Sequence, residues 1–197
     1  MAEQITKSKK NVKKRFFEVK VPMTAAKIEL YAASAEELNN KIIIMDLTKN
    51  LRGKNLELKL RVKAEGENLT AEPISARLVS SYMRKVVRKG TDYVEDSFEA
   101  ECRDMNALVK PFLITRKKVS RAVRNALGEE AKSFLKGYVK VRTVKELFEE
   151  IITNKLQRQL SLKLKKIYPL ALCEIRIFEI AGAKRAVDKV SEEVKAE

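Results

Sequence analysis

Residues 111–128, PFLITRKKVSRAVRNALG, begin as an apolar strand and turn abruptly into a run of cations. Phe112, Leu113 and Ile114 suit burial in a sheet, and Thr115 ends the apolar half. Advancing about 100° per residue from Lys117 gathers Val119, Val123, Ala126, Leu127 and Phe134 on one side of a helix. Lys117, Arg121, Arg124 and Lys132 gather on the other. One stretch thus supplies both a buried strand and an amphipathic helix with a cationic face. No acid interrupts Arg116, Lys117, Lys118, Arg121 and Arg124 before Glu129. Lys118, about 100° from Lys117, is the cation expected to stay in water. Gly128 costs ~1 kcal/mol against Ala inside a helix, so a break or kink is expected there.

Working outward, the residues before this stretch read as sheet. NALVKPFLIT is a strand whose long apolar run implies deep burial, with Pro111 at an edge or bulge because it cannot donate to a ladder. SFEAECR alternates Phe98, Ala100 and Cys102 with Glu99, Glu101 and Arg103. Leu56, Leu58, Leu60 and Val62 alternate with Glu57, Lys59 and Arg61, the clearest half-buried strand in the chain. LTAEPI is expected to return beside it, and FFEVKVP is the first strand, ended at Pro22. IELYAAS and KIIIMDLT bracket a polar turn at 36–40. From Ala76 to Lys89 the period lengthens to that of a helix, with Leu78, Tyr82 and Val86 on one face and Gly90 as its stop. Arg77, Arg84, Lys85, Arg88 and Lys89 lie away from that face, more cations than a helix C-terminus needs to balance its dipole.

Downstream, GYVKVRTV links to a helix opened by a capping box, Thr143 with Glu146, and striped by Val144, Leu147, Phe148, Ile151 and Ile152. NKLQRQLSLKLKKI continues helical until Pro169 stops it. LALCEIRIFEI is a late strand that rejoins the sheet, and beyond Gly182 the chain is a surface helix or a disordered tail. Strands crowd the first half and helices the second before that last strand. The expected class is α+β: an antiparallel, barrel-like sheet flanked by amphipathic helices, with a basic N-terminal arm.

Charge points to the partner. Lys and Arg number 42 against 27 acids, a net charge of +15 and a pI near 9.8. Such a field draws polyanions, nucleic acid first and an anionic membrane second. No apolar run approaches the ~18 residues of a membrane span and the N-terminus lacks an apolar signal core, so a cytoplasmic protein without a membrane role is expected. The arm carries Lys7, Lys9, Lys10, Lys13, Lys14 and Arg15 with almost nothing apolar, a segment expected to order against a polyanion.

Most catalytic classes lose their residues. The 197-residue chain has no His, which removes the commonest general base and zinc ligand. Cys102 and Cys173 are far apart and read as structural thiols. Leu51-Arg52-Gly53-Lys54 lacks the earlier glycine of a phosphate loop and reads as a turn. Glu99 and Glu101 read as a solvated strand face. No enzyme activity, cofactor or metal is expected. Aromatic residues make up only 6% and no RNP1-like platform appears, which favours recognition of structured nucleic acid through its backbone.

RFFEVKVP after a lysine-rich arm, the segment SFEAECRDMNALVKPFLITRKKVSRAVRNAL and KIYPLALCEIRIFEI near the end resemble, in this order over residues 13–181, the small-subunit ribosomal protein family S-three-a, also called eS-one. The resemblance implies a noncatalytic structural component of the small ribosomal subunit, on its platform near the messenger exit. Its implied partners are small-subunit rRNA, neighbouring ribosomal proteins and messenger RNA at that exit. The short mixed-charge tail looks archaeal. The implied division is a flexible basic arm, residues 1–15, a single rRNA-binding α+β domain, residues 16–181, and a tail, residues 182–197. The residues expected to meet rRNA are Lys9, Lys10, Lys13, Lys14, Arg15, Arg84, Lys85, Arg88, Lys89, Arg116, Lys117, Arg121, Arg124 and Lys132. The rival readings are a free nucleic-acid chaperone or DNA-binding protein, and a nucleic-acid enzyme using carboxylates and metal.

Overall fold

The computed structural model describes residues 14–24, 27–51, 53–65 and 68–181. In chain order the elements are β1 (Arg15–Lys20), β2 (Lys27–Ala32), a 3-10 turn (Glu36–Leu38), β3 (Ile42–Asp46), β4 (Leu56–Glu65) and β5 (Asn68–Leu78). They continue with α1 (Ser80–Val86), β6 (Tyr93–Glu95), β7 (Phe98–Glu101), β8 (Asn106–Thr115), α2 (Arg121–Lys140), α3 (Val144–Ile152), α4 (Lys155–Leu164) and β9 (Leu170–Ile180). The chain is α+β with a mixed, open sheet of nine strands.

The chain divides into two compact units, residues 1–42 with 61–72 and residues 43–60 with 73–197. β4 and β5 contribute residues to both. In the first unit β1 pairs antiparallel with β2, Phe16 opposite Tyr31 and Lys20 opposite Lys27. β1 also pairs with β5, in parallel, at Val19–Leu69 and Lys20–Thr70. Phe17 and Val19 are buried while Phe16, Glu18 and Lys20 face water, the period of two that a half-buried strand requires.

In the second unit β9 pairs antiparallel with β5 and, along almost its whole length, with β8; β6 and β7 pair with the other edge of β8. Pro111 lies in this doubly flanked strand at a register shift, Lys110 to Pro111, so a bulge accommodates its missing donor. α2 buries Leu127, Ala131, Leu135, Tyr138 and Val139, α3 buries Val144, Leu147, Phe148 and Ile151, and α4 buries Leu156, Leu160 and Leu164. Phe148 meets Phe178 edge-to-face at 4.9 Å between centroids, an arrangement worth about 0.5–1.5 kcal/mol beyond its area. The Thr143–Glu146 capping box is formed in both directions.

Several expectations change. The sheet is neither all antiparallel nor barrel-like: β1 runs parallel to β5, and β2 and β6 end the ladder path with no mutual pairing, so the sheet stays open. The charged Lys27 and Glu29 on β2 blunt its exposed edge. Ala76 to Leu78 are strand rather than helix, because Ser75, Ala76 and Arg77 pair with Glu179, Phe178 and Ile177 of β9. α1 is consequently short and has no fully buried residue, and Gly90, at φ 86°, sits in a turn after the helix has already ended at Val86. α2 runs unbroken through Gly128 and Gly137 and takes in Gly137–Lys140, expected to be a link. Its long apolar stripe outweighs ~1 kcal/mol per glycine. The strand Tyr93–Glu95 had not been expected at all.

Two acids of the last strand are buried. Glu174 pairs with Lys54 at 2.5 Å, Lys54 being 7% exposed, and Glu179 pairs with Arg77 at 3.3 Å. Lys54 also donates to Oδ1 of Asn154 at 2.7 Å, which fixes that asparagine in its left-handed conformation, φ 59°, at the start of α4.

Candidate nucleic-acid interface

The strand-to-helix stretch is organised by Asp92. Its Oδ2 accepts from the Val119 backbone N–H at 2.9 Å. Its own N–H donates to Thr115 Oγ1 at 3.0 Å, and its carbonyl accepts from the Thr115 N–H at 2.9 Å. Thr115 Oγ1 also lies 2.8 Å from the Lys117 carbonyl. The buried threonine and the aspartate together pin residues 115–119 outside any helix. Ser120 then caps α2, its hydroxyl accepting from the Val123 N–H at 3.4 Å. Arg116, Lys117 and Lys118 therefore stand on an exposed loop, and only Arg121, Arg124 and Lys132 ride on the helix. This corrects the single helical face expected from periodicity: a side chain 27 residues before Val119 fixes where the helix starts.

Two open clefts flank the segment that carries Asp92. One, of about 520 Å³, is lined by Val87, Thr91, Asp92, Tyr93, Val94, Glu95, Arg121, Arg124 and Asn125. The other, of about 510 Å³, is lined by Tyr82, Lys85, Val86, Arg88, Thr91, Ile114, Arg116, Ala171 and Leu172. Thr91 belongs to both, and its hydroxyl donates to the Arg88 carbonyl at 2.7 Å, holding the turn that follows α1. Cations from three segments, the end of α1, the loop after β8 and the first turn of α2, thus face neighbouring clefts.

The acids in the first cleft are engaged. Asp92 holds the Val119 N–H, and Glu95 is ion-paired with Arg176. Arg84, Lys85, Arg88, Lys89, Arg116, Lys117, Arg121 and Arg124 enter no ion pair among the described residues. Arg124 has a shielded Nε without a hydrogen-bond partner, an arrangement that costs free energy unless a ligand supplies an acceptor. Arginine at such a site can grip a phosphate with two donors at once.

The remaining expected contacts fall elsewhere. Arg84 and Lys89 are exposed near the end of α1, and Lys117 is exposed but lines neither cleft. Lys132 has its Nζ 5.9 Å from the Phe98 ring centroid, three turns further along α2 than Arg121. Arg15, grouped with the arm, is the first residue of β1 and covers Phe17 at 4.7 Å, and Lys14 lies 6.0 Å over Tyr31. Lys9, Lys10 and Lys13, like the tail, lie outside the described residues. Sequence reasoning missed Asp92 and Thr91; the signal was the Gly-Thr-Asp run after α1, residue types that bond neighbouring backbone in turns.

The groups a catalyst would need are differently disposed. Burial, with Asp104 adding, raises the Cys102 thiol to about 11, and burial, with Glu174 adding against Lys54, raises Cys173 to about 12. Glu99 and Glu101 share a shallow cleft with Lys136 and Lys140. No group of three acids or thiols spaced for a metal occurs among the described residues.

Known proteins give the same direction. A model of the ribosomal S3Ae family matches residues 3–183. The chain is 25% identical to the small ribosomal subunit protein eS1 of Nanoarchaeum equitans, covering 89% of this chain and 92% of that one. It is 27% identical to the protein of the same name from Halorubrum lacusprofundi, over 95% and 94% of the two chains. It is also 27% identical to the one from Methanothermobacter thermautotrophicus, over 66% and 68%. With nearly all of its length matched by one family model, the chain belongs to the ribosomal S3Ae family.

Proposed function

We propose that the protein is a noncatalytic structural constituent of the small ribosomal subunit and binds rRNA through the cations that flank Thr91. The observation that carries this is the convergence of Lys85, Arg88, Arg116, Arg121 and Arg124 on two adjoining clefts that hold only two carboxylates, Asp92 and Glu95, none of the five cations being ion-paired among the described residues. In water such a cluster repels itself; beside closely spaced phosphates it releases condensed counterions, and binding gains accordingly. The relatives' names and the family support the small subunit as its place of work. The family resemblance supports a position on the platform near the messenger exit, in the cytoplasm, with rRNA, neighbouring ribosomal proteins and messenger RNA as partners. Arg84, Lys89, Lys117 and Lys132 of the second unit, and Lys9, Lys10, Lys13, Lys14 and Arg15 near the N-terminus, are further candidate rRNA contacts in this reading.

Sedimentation of a cell extract in moderate salt tests the assignment. The tagged chain should travel with small subunits and stay with them after a salt wash. Recovery in light fractions, bound to assorted nucleic acid, would instead identify a free chaperone.

A further inference from the structure

The first unit carries a feature that phosphate binding does not use. Phe16 and Tyr31 face each other across the β1–β2 ladder, their ring centroids 4.9 Å apart and tilted by 47°. Both stand in water, 70% and 55% exposed, although their strands have a buried face on which Phe17 and Val19 sit. Such rings hold open π faces that another flat ring can cover, and every nucleobase has one.

Charge on this face alternates along the ladder. On one side Lys14 lies 6.0 Å over the Tyr31 ring, and the sequence running up to it is rich in lysine. On the other side the next cross-strand pair is Glu18 with Glu29; Glu18 is bonded to Lys27 at 2.6 Å, and that contact holds its carboxyl below the usual range. A phosphate would be drawn to Lys14 rather than to the Glu18–Glu29 pair, whose charge the following Lys20–Lys27 pair balances. The net charge of +15 favours a polyanionic occupant for these rings over a protein surface.

We propose that Phe16 and Tyr31 form a stacking platform for an unpaired RNA base whose flanking phosphates lie toward Lys14. The low aromatic content argued against a base-stacking sheet; the ladder register nonetheless sets two of the few aromatic rings side by side. The proposal rests on the rRNA-binding reading, and adds to it recognition of a single-stranded nucleotide.

The test uses the full chain and a short uridine-rich single-stranded RNA with one 2-aminopurine. Binding of the wild type should quench the probe. Phe16→Leu with Tyr31→Leu keeps apolar bulk on an outer face, so circular dichroism should be unchanged. Affinity should fall by about tenfold or more and quenching should vanish. The slope of log affinity on log salt should hold, since no phosphate contact is lost. Phe16→Tyr should bind as the wild type does. Equal affinity and quenching in the double leucine variant would overturn the platform, as would a loss accompanied by a shallower salt slope. So would a wild-type dimer that the variant dissolves, which would make the rings an interface between copies. A wild type that binds neither this RNA nor a duplex at low salt would remove the rRNA-binding reading itself, whereas duplex binding untouched by the leucines leaves that reading standing.

Discussion

Lys54 stands in a Leu-Arg-Gly-Lys turn where a phosphate-binding role fails for want of a second glycine, and its actual use is structural. It meets Glu174, 120 residues away, inside the second unit, and supports Asn154 as well. Removing one partner strands a buried charge, so Lys54→Met should lower stability by about 3–5 kcal/mol in urea unfolding. Combining it with Glu174→Leu should recover most of that loss; strictly additive losses would show that the pair is not coupled. The two cysteines are testable by reactivity. With pKa values raised to about 11 and about 12, little thiolate exists near neutrality. Alkylation of the native chain at about pH 8 should be slower than in urea by on the order of 100-fold, since only the thiolate attacks. The sign for stability follows: the folded state keeps these protons longer, so stability drops as pH climbs from about 9, where unfolded thiols ionise, toward the folded values. Equal alkylation rates in both states would contradict the burial described.

Among the elements, β4, β8 and β9 were readable because alternation or a long apolar run marks a strand wherever one face is buried, and α3 because its capping box is local. What local pattern could not show was set by distant partners. Ala76–Leu78 fit a helical period as well as a strand, and β9 decides between them. The start of α2 belongs to Asp92, and the burial of Glu174 and Glu179 to Lys54 and Arg77. The basic stretches were visible in sequence, but their sorting into two clefts was not, because it depends on the turn through Thr91. Two further outcomes are expected here. Asp92→Ala should weaken RNA binding although it removes a negative charge, because the loop of Arg116 is released; Asp92→Asn, which keeps an acceptor, should bind at least as well as the wild type. Tighter binding by the alanine variant would show that Asp92 acts only through its charge. A Cβ at Gly137 meets nothing within 4 Å, so Gly137→Ala should stabilise α2 by up to about 1 kcal/mol. A lowered Tm would contradict the open surface there.

For the whole molecule, the net charge of +15 is a statement about association rather than fold. Under the proposed function the chain binds a polyanion, and its affinity should fall linearly, on logarithmic axes, with salt. In the proposed function, family membership directs that attraction toward rRNA, and the clefts around Thr91 are its proposed place. Arg88 and Arg121 are the exposed cations through which to challenge that place, since they sit on separate segments and neither is in an ion pair among the described residues. The most direct measurement is a competition between the wild type and Arg88→Glu with Arg121→Glu for incorporation into small subunits lacking this protein. The expected outcome is a folded variant excluded from subunits by at least about tenfold, with a shallower salt dependence for its rRNA affinity. Equal incorporation of the two chains would contradict the clefts as the rRNA-binding surface.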